Sequence, residues 1–225
     1  MIRPLRESDL EPVVEIHLAS FPGFFLSFLG PGFLKLFYRS FLEDPLGIAY
    51  VAAGEDGGLL GCVVGPLRPA GYFKRLLKRC WWSFCLASLP ALARRPGIAL
   101  RLLRAVRYRG DAPGGVDSRR ALLSSIAVAP SAQGRGIGRE LVEAWLGEAR
   151  RRGAPGAFLT TDAEGNDAVN AFYRRLGWRL ADSYTAARGR RMNRFVFDFP
   201  EGGGSASWMS PWPGRLWRSS PRCSC

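Results

Sequence analysis

Histidine is nearly absent from this chain: one residue, His17, among 225. A histidine-based metal site needs several ring nitrogens converging on one ion, so that class is excluded, and His17 reads as a helix-surface side chain. The five cysteines (Cys62, Cys80, Cys85, Cys223, Cys225) include no Cys-x2-Cys pair, which removes the usual zinc spacings. No metal is expected. Also missing is an apolar run long enough to cross a bilayer. The longest, residues 80–93, has 14 residues and is interrupted only by two serines; a span needs roughly 20. Arg3, Arg6, Glu7 and Asp9 stand where the apolar stretch of a secretory signal would lie, so the expectation is a cytoplasmic protein with reduced thiols. Acidic residues are scarce beside basic ones, 19 against 32, for a net charge of +13. That balance favours an anionic partner: a nucleotide cofactor, nucleic acid or an anionic membrane surface. Compositional drift gives the same number, since the chain is rich in Arg, Ala, Gly and Pro and has only two lysines in its first 75 residues.

What is present is enough for one α/β domain with a full core. A short strand at 2–5 precedes a helix capped by Ser8, with Glu11 three residues on and Pro12 early enough to be tolerated. The helix runs to about Ser20. Residues 21–30 hold four phenylalanines but are broken by Pro22, Gly23 and Gly30, which predicts a loop tucked into the core or lining a pocket. A second helix covers 32–42. Strand-like runs at 47–53 and 59–65, joined by a glycine-rich turn, predict a hairpin. Residues 68–109 then carry eleven basic residues and no acidic one, and predict a basic, partly apolar helical insertion over 68–118. Such a helix either lies on anionic membrane or packs on the domain with a solvated arginine face. Further strands are expected at 121–129, 156–161, 178–187 and 191–199, with helices at 137–152 and 166–177. The domain so defined spans 1–199, and 200–225 reads as a flexible tail.

The chemistry concentrates at Gln133-Gly134-Arg135-Gly136-Ile137-Gly138. This turn follows a strand-like run and opens a helix whose Ile137, Leu141, Val142, Trp145, Leu146 and Ala149 form one apolar stripe. A strand, a glycine-rich turn and a helix start make an anion cradle, because the first helical N–H groups lack internal partners and the helix dipole favours negative charge there. Spacing discriminates among such cradles. A dinucleotide fingerprint needs glycine at the sixth position from Gly134, where Arg139 stands, and a P-loop needs Gly-Lys-Ser/Thr, which does not occur.

The stretch from Ser125 to Arg139 resembles the acetyl-CoA signature of the GNAT superfamily of N-acetyltransferases, Gln/Arg-x-x-Gly-x-Gly/Ala, through Gln133, Gly136 and Gly138. Asn166, with Tyr173 seven residues later and Leu176-Gly177-Trp178 beyond, resembles that family's second signature. The resemblance implies a mixed, mostly antiparallel central sheet flanked by helices over residues 1–199, with the basic insertion and the tail outside it. It implies acetyl-CoA as co-substrate. The backbone of Ile126, Ala127 and Val128 would pair with the pantetheine arm, and the N–H groups of Gly134, Arg135, Gly136, Ile137, Gly138 and Arg139 would hold the pyrophosphate. Asn166 would contact the cofactor arm, and Tyr173 would act as general acid toward the departing thiolate. On sequence grounds alone Asn166 also reads as a helix N-cap and Tyr173 as a core residue.

One departure bears on the acceptor. Many relatives carry a glutamate as general base five residues before the asparagine, and here that position is Thr161; Asp162 and Glu164 are near enough to act only through water. A lysine amine of pKa about 10.4 is neutral in only about one molecule in 2,500 at pH 7, whereas an α-amine near 7.7 to 8 is neutral in roughly 10 to 15%. The expected acceptor is therefore a small-molecule amine of low pKa, such as an amino sugar or an α-amine. The rival reading is a non-catalytic module of the same fold that binds membrane or another polyanion through 68–109. Nucleic acid is the weaker partner, because Trp81, Trp82 and Phe84 lie inside an apolar run and are not interleaved with the arginines.

Overall fold

The computed structural model describes residues 1–76, 78, 117–186 and 189–200. Strand β1 (Ile2–Pro4) leads through a 3-10 turn at Glu7–Asp9 into helix α1 (Leu10–Ser20). The side chain that anchors this start is Asp9, not the expected Ser8. Its carboxylate accepts the Arg6 N–H at 2.8 Å and pairs with Arg3 at 2.6 Å, joining β1 to the helix. Arg3 in turn holds the Asp9 carboxyl below the usual carboxylate range. The phenylalanine-rich stretch is not all loop: it contains a single helical turn, α2 (Phe25–Phe28). Gly30, at φ 88°, then supplies the left-handed step into helix α3 (Pro31–Glu43), with Pro31 in the first turn where no N–H is needed.

Strands β2 (Gly47–Ala53) and β3 (Leu59–Pro66) form the expected antiparallel hairpin. Most of the proposed basic insertion and the tail from 201 lie outside the described residues, so neither expectation bears on the architecture. Beyond the insertion come β4 (Ala121–Leu122), β5 (Ser125–Val128), helix α4 (Ile137–Arg151), β6 (Gly156–Asp162), helix α5 (Asp167–Arg175), β7 (Arg179–Thr185) and β8 (Arg191–Asp198). Among the described residues no helix is long and apolar enough to cross a membrane.

Among the described residues eight strands form two four-stranded sheets, ordered β1-β2-β3-β5 and β4-β6-β8-β7. Of these, only β4 and β6 pair in parallel; the other pairings are antiparallel. The stretch expected as one strand over 121–129 therefore serves two sheets. Its first half pairs with β6 and its second half with β3. The change falls at two adjacent residues: Leu123 N–H donates to Phe158 O, and Ser124 N–H to Val64 O, both at 3.0 Å. Ser125 is in register with the same Val64, so two residues face one, as in a β-bulge. Gly65 makes room for the crossing, since a Cβ there would stand 1.9 Å from the Leu122 carbonyl oxygen.

Two apolar layers sandwich the sheets. On one side α4 buries Ile137, Leu141, Val142, Trp145, Leu146 and Ala149, as its periodicity predicts, together with Leu159, Tyr173, Trp178 and Phe195. On the other, α1 and α3 bury Leu10, Val13, Leu34, Tyr38 and Phe41 against Val51, Cys62 and Ala127. Each of these large apolar side chains contributes about 1.5–3 kcal/mol by leaving water.

His17 belongs to this second layer, which corrects its reading as a surface residue. It is only 3% exposed, and its Nδ1 lies 2.8 Å from the Tyr38 hydroxyl. Its Nε2 is buried without a partner among the described residues. The apolar stripe of α1 runs through Val13, Val14 and Ile16, and one histidine beside them was not distinguishable from a polar edge. Burial pushes the His17 pKa down to about 4, so the native state keeps the ring neutral while the unfolded chain protonates near 6.5. Stability from this group is complete above pH 6.5 and falls as pH drops toward 4, by up to about 1.4 kcal/mol per pH unit. A His17→Gln variant should lose this part of the acid sensitivity, seen as a flatter dependence of the urea midpoint between pH 7 and 5. A Gly65→Ala variant should lose about 1–3 kcal/mol in the same assay, because backbone rather than a flexible side chain must give way.

Candidate active site

The crossing at Leu123–Ser124 leaves β5 with one partner. Hydrogen-bonded residues alternate along an antiparallel pair, and Ala129 N–H donates to Leu60 O at 2.9 Å. Ala127, of the same parity and in register with Cys62, therefore turns its peptide groups toward β3. Ile126 and Val128 turn theirs toward β6, from which β5 has separated. Two contacts agree with this: the Val128 carbonyl accepts from Ser20 Oγ at 3.0 Å and from Gln133 Nε2 at 3.2 Å. The open edge is thus offered by Ile126 and by the N–H of Val128, whose carbonyl is already taken. Ala127, expected among the edge-binding residues, is already committed to the sheet.

Beyond Val128 the chain makes a 3-10 turn at Pro130–Ala132 and reaches the cradle. Gly134 and Gly136 have φ of 75° and 83°. A Cβ at either would meet nothing within 4 Å, so backbone conformation, not space, requires glycine there. None of the N–H groups of Gly134, Arg135, Gly136, Ile137 and Gly138 has a hydrogen-bond acceptor among the described residues. Arg139 differs. Its N–H bonds the Gly136 carbonyl at 3.0 Å and its side chain pairs with Glu143 at 2.7 Å, so its peptide group is already taken. Gln133 braces the turn through Val128. Five N–H groups at the positive end of a 15-residue helix form a site for phosphate oxygens.

Helix α5 meets this turn. A Cβ on Gly138 would touch the Phe172 ring at 3.5 Å and Val128 Cγ2 at 3.7 Å, so β5, the start of α4 and α5 converge at one point. Asn166 is the residue before α5 but does not cap it with its side chain. Its Nδ2 instead donates to Thr161 Oγ1 at 2.5 Å, which ties the helix start to β6. Tyr173, next to Phe172, is 5% exposed and packs edge-on against Trp178, with ring centroids 5.8 Å apart. Burial pushes its phenol well above the ordinary range. The hydroxyl has no hydrogen-bond partner among the described residues.

Sequence reasoning missed Asn170. It is buried, and its Nδ2 donates to Asp162 O at 3.0 Å and Asn166 O at 2.9 Å. Its Oδ1 accepts from Asn193 Nδ2 at 3.1 Å, and Ser183 Oγ donates to Asn193 Oδ1 at 2.7 Å. This ladder fixes α5, and so Tyr173, against β6, β8 and β7. The signal was an asparagine on the otherwise apolar side of a short helix, where an unpaired amide would be costly.

The opposite sheet face carries different chemistry. Asp162, at the end of β6, is held by Arg190 through both Nε and Nη2. Arg194 is buried, 3.2 Å from Asp182 and 5.0 Å from the centre of the Tyr184 ring. On the α5 face Thr161 offers its hydroxyl to Asn166, and Glu164 in the loop after β6 is exposed. Among the described residues no carboxylate of β6 stands on the α5 side.

The family model described as Acetyltransferase (GNAT) family matches residues 10–178. No curated protein matches the chain. Among solved structures, the chain resembles the ribosomal-protein-S18-alanine N-acetyltransferase from Escherichia coli, at 17% identity and TM-score 0.53, covering 92% of this chain and 98% of that one. It also resembles Naa20 from Chaetomium thermophilum in complex with a bisubstrate analogue, at 18% identity and TM-score 0.53, over 88% and 86%. A third likeness is to mutant forms of the spermidine/spermine N-acetyltransferase SpeG from Vibrio cholerae, at 15% identity and TM-score 0.51, over 88% and 93%. At these identities the structures speak for the fold, and the family model, covering most of the chain, speaks for kinship. An open strand edge running into a helix-start cradle, on a chain whose residues 10–178 fit that model, makes this protein a member of the GNAT acetyltransferase family.

Proposed function

We propose that the protein transfers an acetyl group from acetyl-CoA to the nitrogen of a small amine of low pKa. One observation carries the reading: the open edge at Ile126 and the Val128 N–H runs directly into the N–H groups of residues 134–138, five donors with no acceptor among the described residues. An amide-bearing arm ending in a pyrophosphate has that sequence of needs. When bound, acetyl-CoA supplies a thioester, and the amine nitrogen forms a bond to its carbonyl carbon as the carbon–sulfur bond breaks.

The chain's own groups take the following parts. The N–H groups of Gly134 to Gly138 hold phosphate oxygens, aided by the α4 dipole. Ile126 and Val128 pair with the arm as a neighbouring strand would. The Val128 N–H, on the open edge, is placed to donate to oxygen as negative charge develops on it. Asn166, whose Nδ2 is given to Thr161, contacts the arm through its remaining amide oxygen. Tyr173 keeps its proton, because burial raises a phenol that already lies above a thiol of about 8.5. It therefore serves better as a hydrogen-bond donor to the departing sulfur than as a source of a fully transferred proton. The eleven basic residues in 68–109 support peripheral contact with an anionic membrane as part of the same proposal.

The acceptor must arrive neutral or lose its proton to water. Thr161 is engaged with Asn166, and Asp162 is engaged with Arg190. The dependence of kcat/KM on pH should therefore follow the acceptor amine's own pKa, with no limb from an enzymic base below it. Thr161→Glu should add such a limb and improve amines of high pKa more than those of low pKa; a base limb already present in the wild type would sink this account. Tyr173→Phe should lower kcat about 10- to 100-fold, the worth of one hydrogen bond to a charged group, with Tm little changed because the ring stays packed.

A further inference from the structure

The segment after α1 crosses the mouth between β5 and β6. Ser20 anchors one end, on the carbonyl of Val128 at the end of β5. Four residues later the Phe24 ring lies 5.8 Å from the Arg190 guanidinium, and Arg190 grips Asp162, the last residue of β6. β4 runs parallel to β6 and β5 continues it, so Val128 and Asp162 mark the same end of the two strands. Asp162 alternates with Thr161 along β6, which places it on the sheet face away from Asn166 and α5. The path Val128–Ser20–Phe24–Arg190–Asp162 thus spans the gap from the face opposite the one where α5 lies.

Its parts form a cation site. A carboxylate and an aromatic face both attract positive charge, and here a hairpin residue of the same chain supplies that charge. Phe24 is 49% exposed, unusual for its type, and its ring rests on Phe21 with centroids 5.3 Å apart. The Arg190 side chain is 53% exposed and that of Asp162 23%, so solvent reaches the pair. A second cation that replaces Arg190 keeps the carboxylate paired, so the exchange leaves no charge without a partner.

We propose that Asp162 and Phe24 are an acceptor subsite for a second, positively charged nitrogen, and that Arg190 occupies this subsite until the acceptor displaces it. The inference rests on the acyl-transfer reading and specifies its substrate class: amines with an additional cationic nitrogen nearby. Such a neighbour lowers the pKa of the reacting amine in the free acceptor by like-charge repulsion. More of the acceptor then arrives neutral, which suits a site where Thr161 stands in the position of a base.

The test is calorimetric binding of 1,3-diaminopropane and of n-butylamine, which replaces the second ammonium with a methyl group. Arg190→Gln should tighten diamine binding about five- to tenfold and leave n-butylamine within about twofold, from the size of exposed ion-pair and cation–π terms. Arg190→Lys, which keeps a resident cation, should bind the diamine as the wild type does. Asp162→Asn should weaken the diamine about five- to tenfold and remove its advantage over n-butylamine. Equal changes for both amines, or weaker diamine binding in Arg190→Gln, would overturn the subsite and leave Arg190 as a tie between hairpin and strand. Thiol release from acetyl-CoA with the same amines reports separately on acyl transfer. Charge-selective binding without thiol release sinks the acyl-transfer reading alone, and thiol release without charge selectivity sinks the subsite alone.

Discussion

The change of partner at Leu123 and Ser124 is the constraint on which the rest of the molecule depends. A strand that bonds β6 for two residues and β3 for the next four cannot keep both neighbours, so the sheets part along β5. Peptide groups left open to water in most folds are an edge to be covered. Here they belong to Ile126 and the Val128 N–H, directly before a turn that holds five further N–H groups with no acceptor among the described residues. The crossing is made possible on its other side by Gly65, where any side chain would collide with the Leu122 carbonyl. One small residue on β3 and one irregular step on the neighbouring strand thus create both the gap and its direction.

The gap has two unlike sides. On the α5 side, Phe172 touches the turn, Tyr173 is buried, and Asn166 and Asn170 tie the helix to β6, β8 and β7. These groups are neutral and held by packing and amide hydrogen bonds, which suits fixing a cofactor's uncharged arm. On the other side stand the exposed Phe24, the ion pair of Arg190 with Asp162, and Arg194 beside Asp182 and Tyr184. Charge is concentrated there. Thr161 links the two sides in the proposed reaction: with no carboxylate at that position, an acceptor whose own amine is easily neutral is favoured.

Much of this was legible in the residues, and the limits have physical causes. The α4 stripe and the β2–β3 hairpin follow from local periodicity, and both form as expected. The glycines at 134 and 136 were legible because a left-handed backbone tolerates few other residues. The division of 121–129 into two strands was not, since alternation looks the same whichever neighbour a strand bonds. For that reason Ala127 seemed as available as Ile126 and Val128, and Arg139 as available as Gly138. His17 and Asn170 were misread or overlooked for a related reason: a polar residue reveals its burial only when its partner, Tyr38 in one case and Asn193 in the other, is brought to it from far along the chain.

The sequence by itself therefore determined the glycine turn and the order of elements, because each depends on neighbours within a few residues. Spacing of glycines sets backbone conformation locally, and spacing of apolar residues sets a helix face locally. Only the tertiary structure decided which peptide groups on β5 are open, which carboxylates are already engaged, and that Phe24, Arg190 and Asp162 meet. Those facts depend on contacts between residues far apart in the chain, 28 positions for Arg190 and Asp162 and 108 for Ser20 and Val128. Hydrogen-bond pairing and charge pairing at such separations are settled by packing of the whole domain.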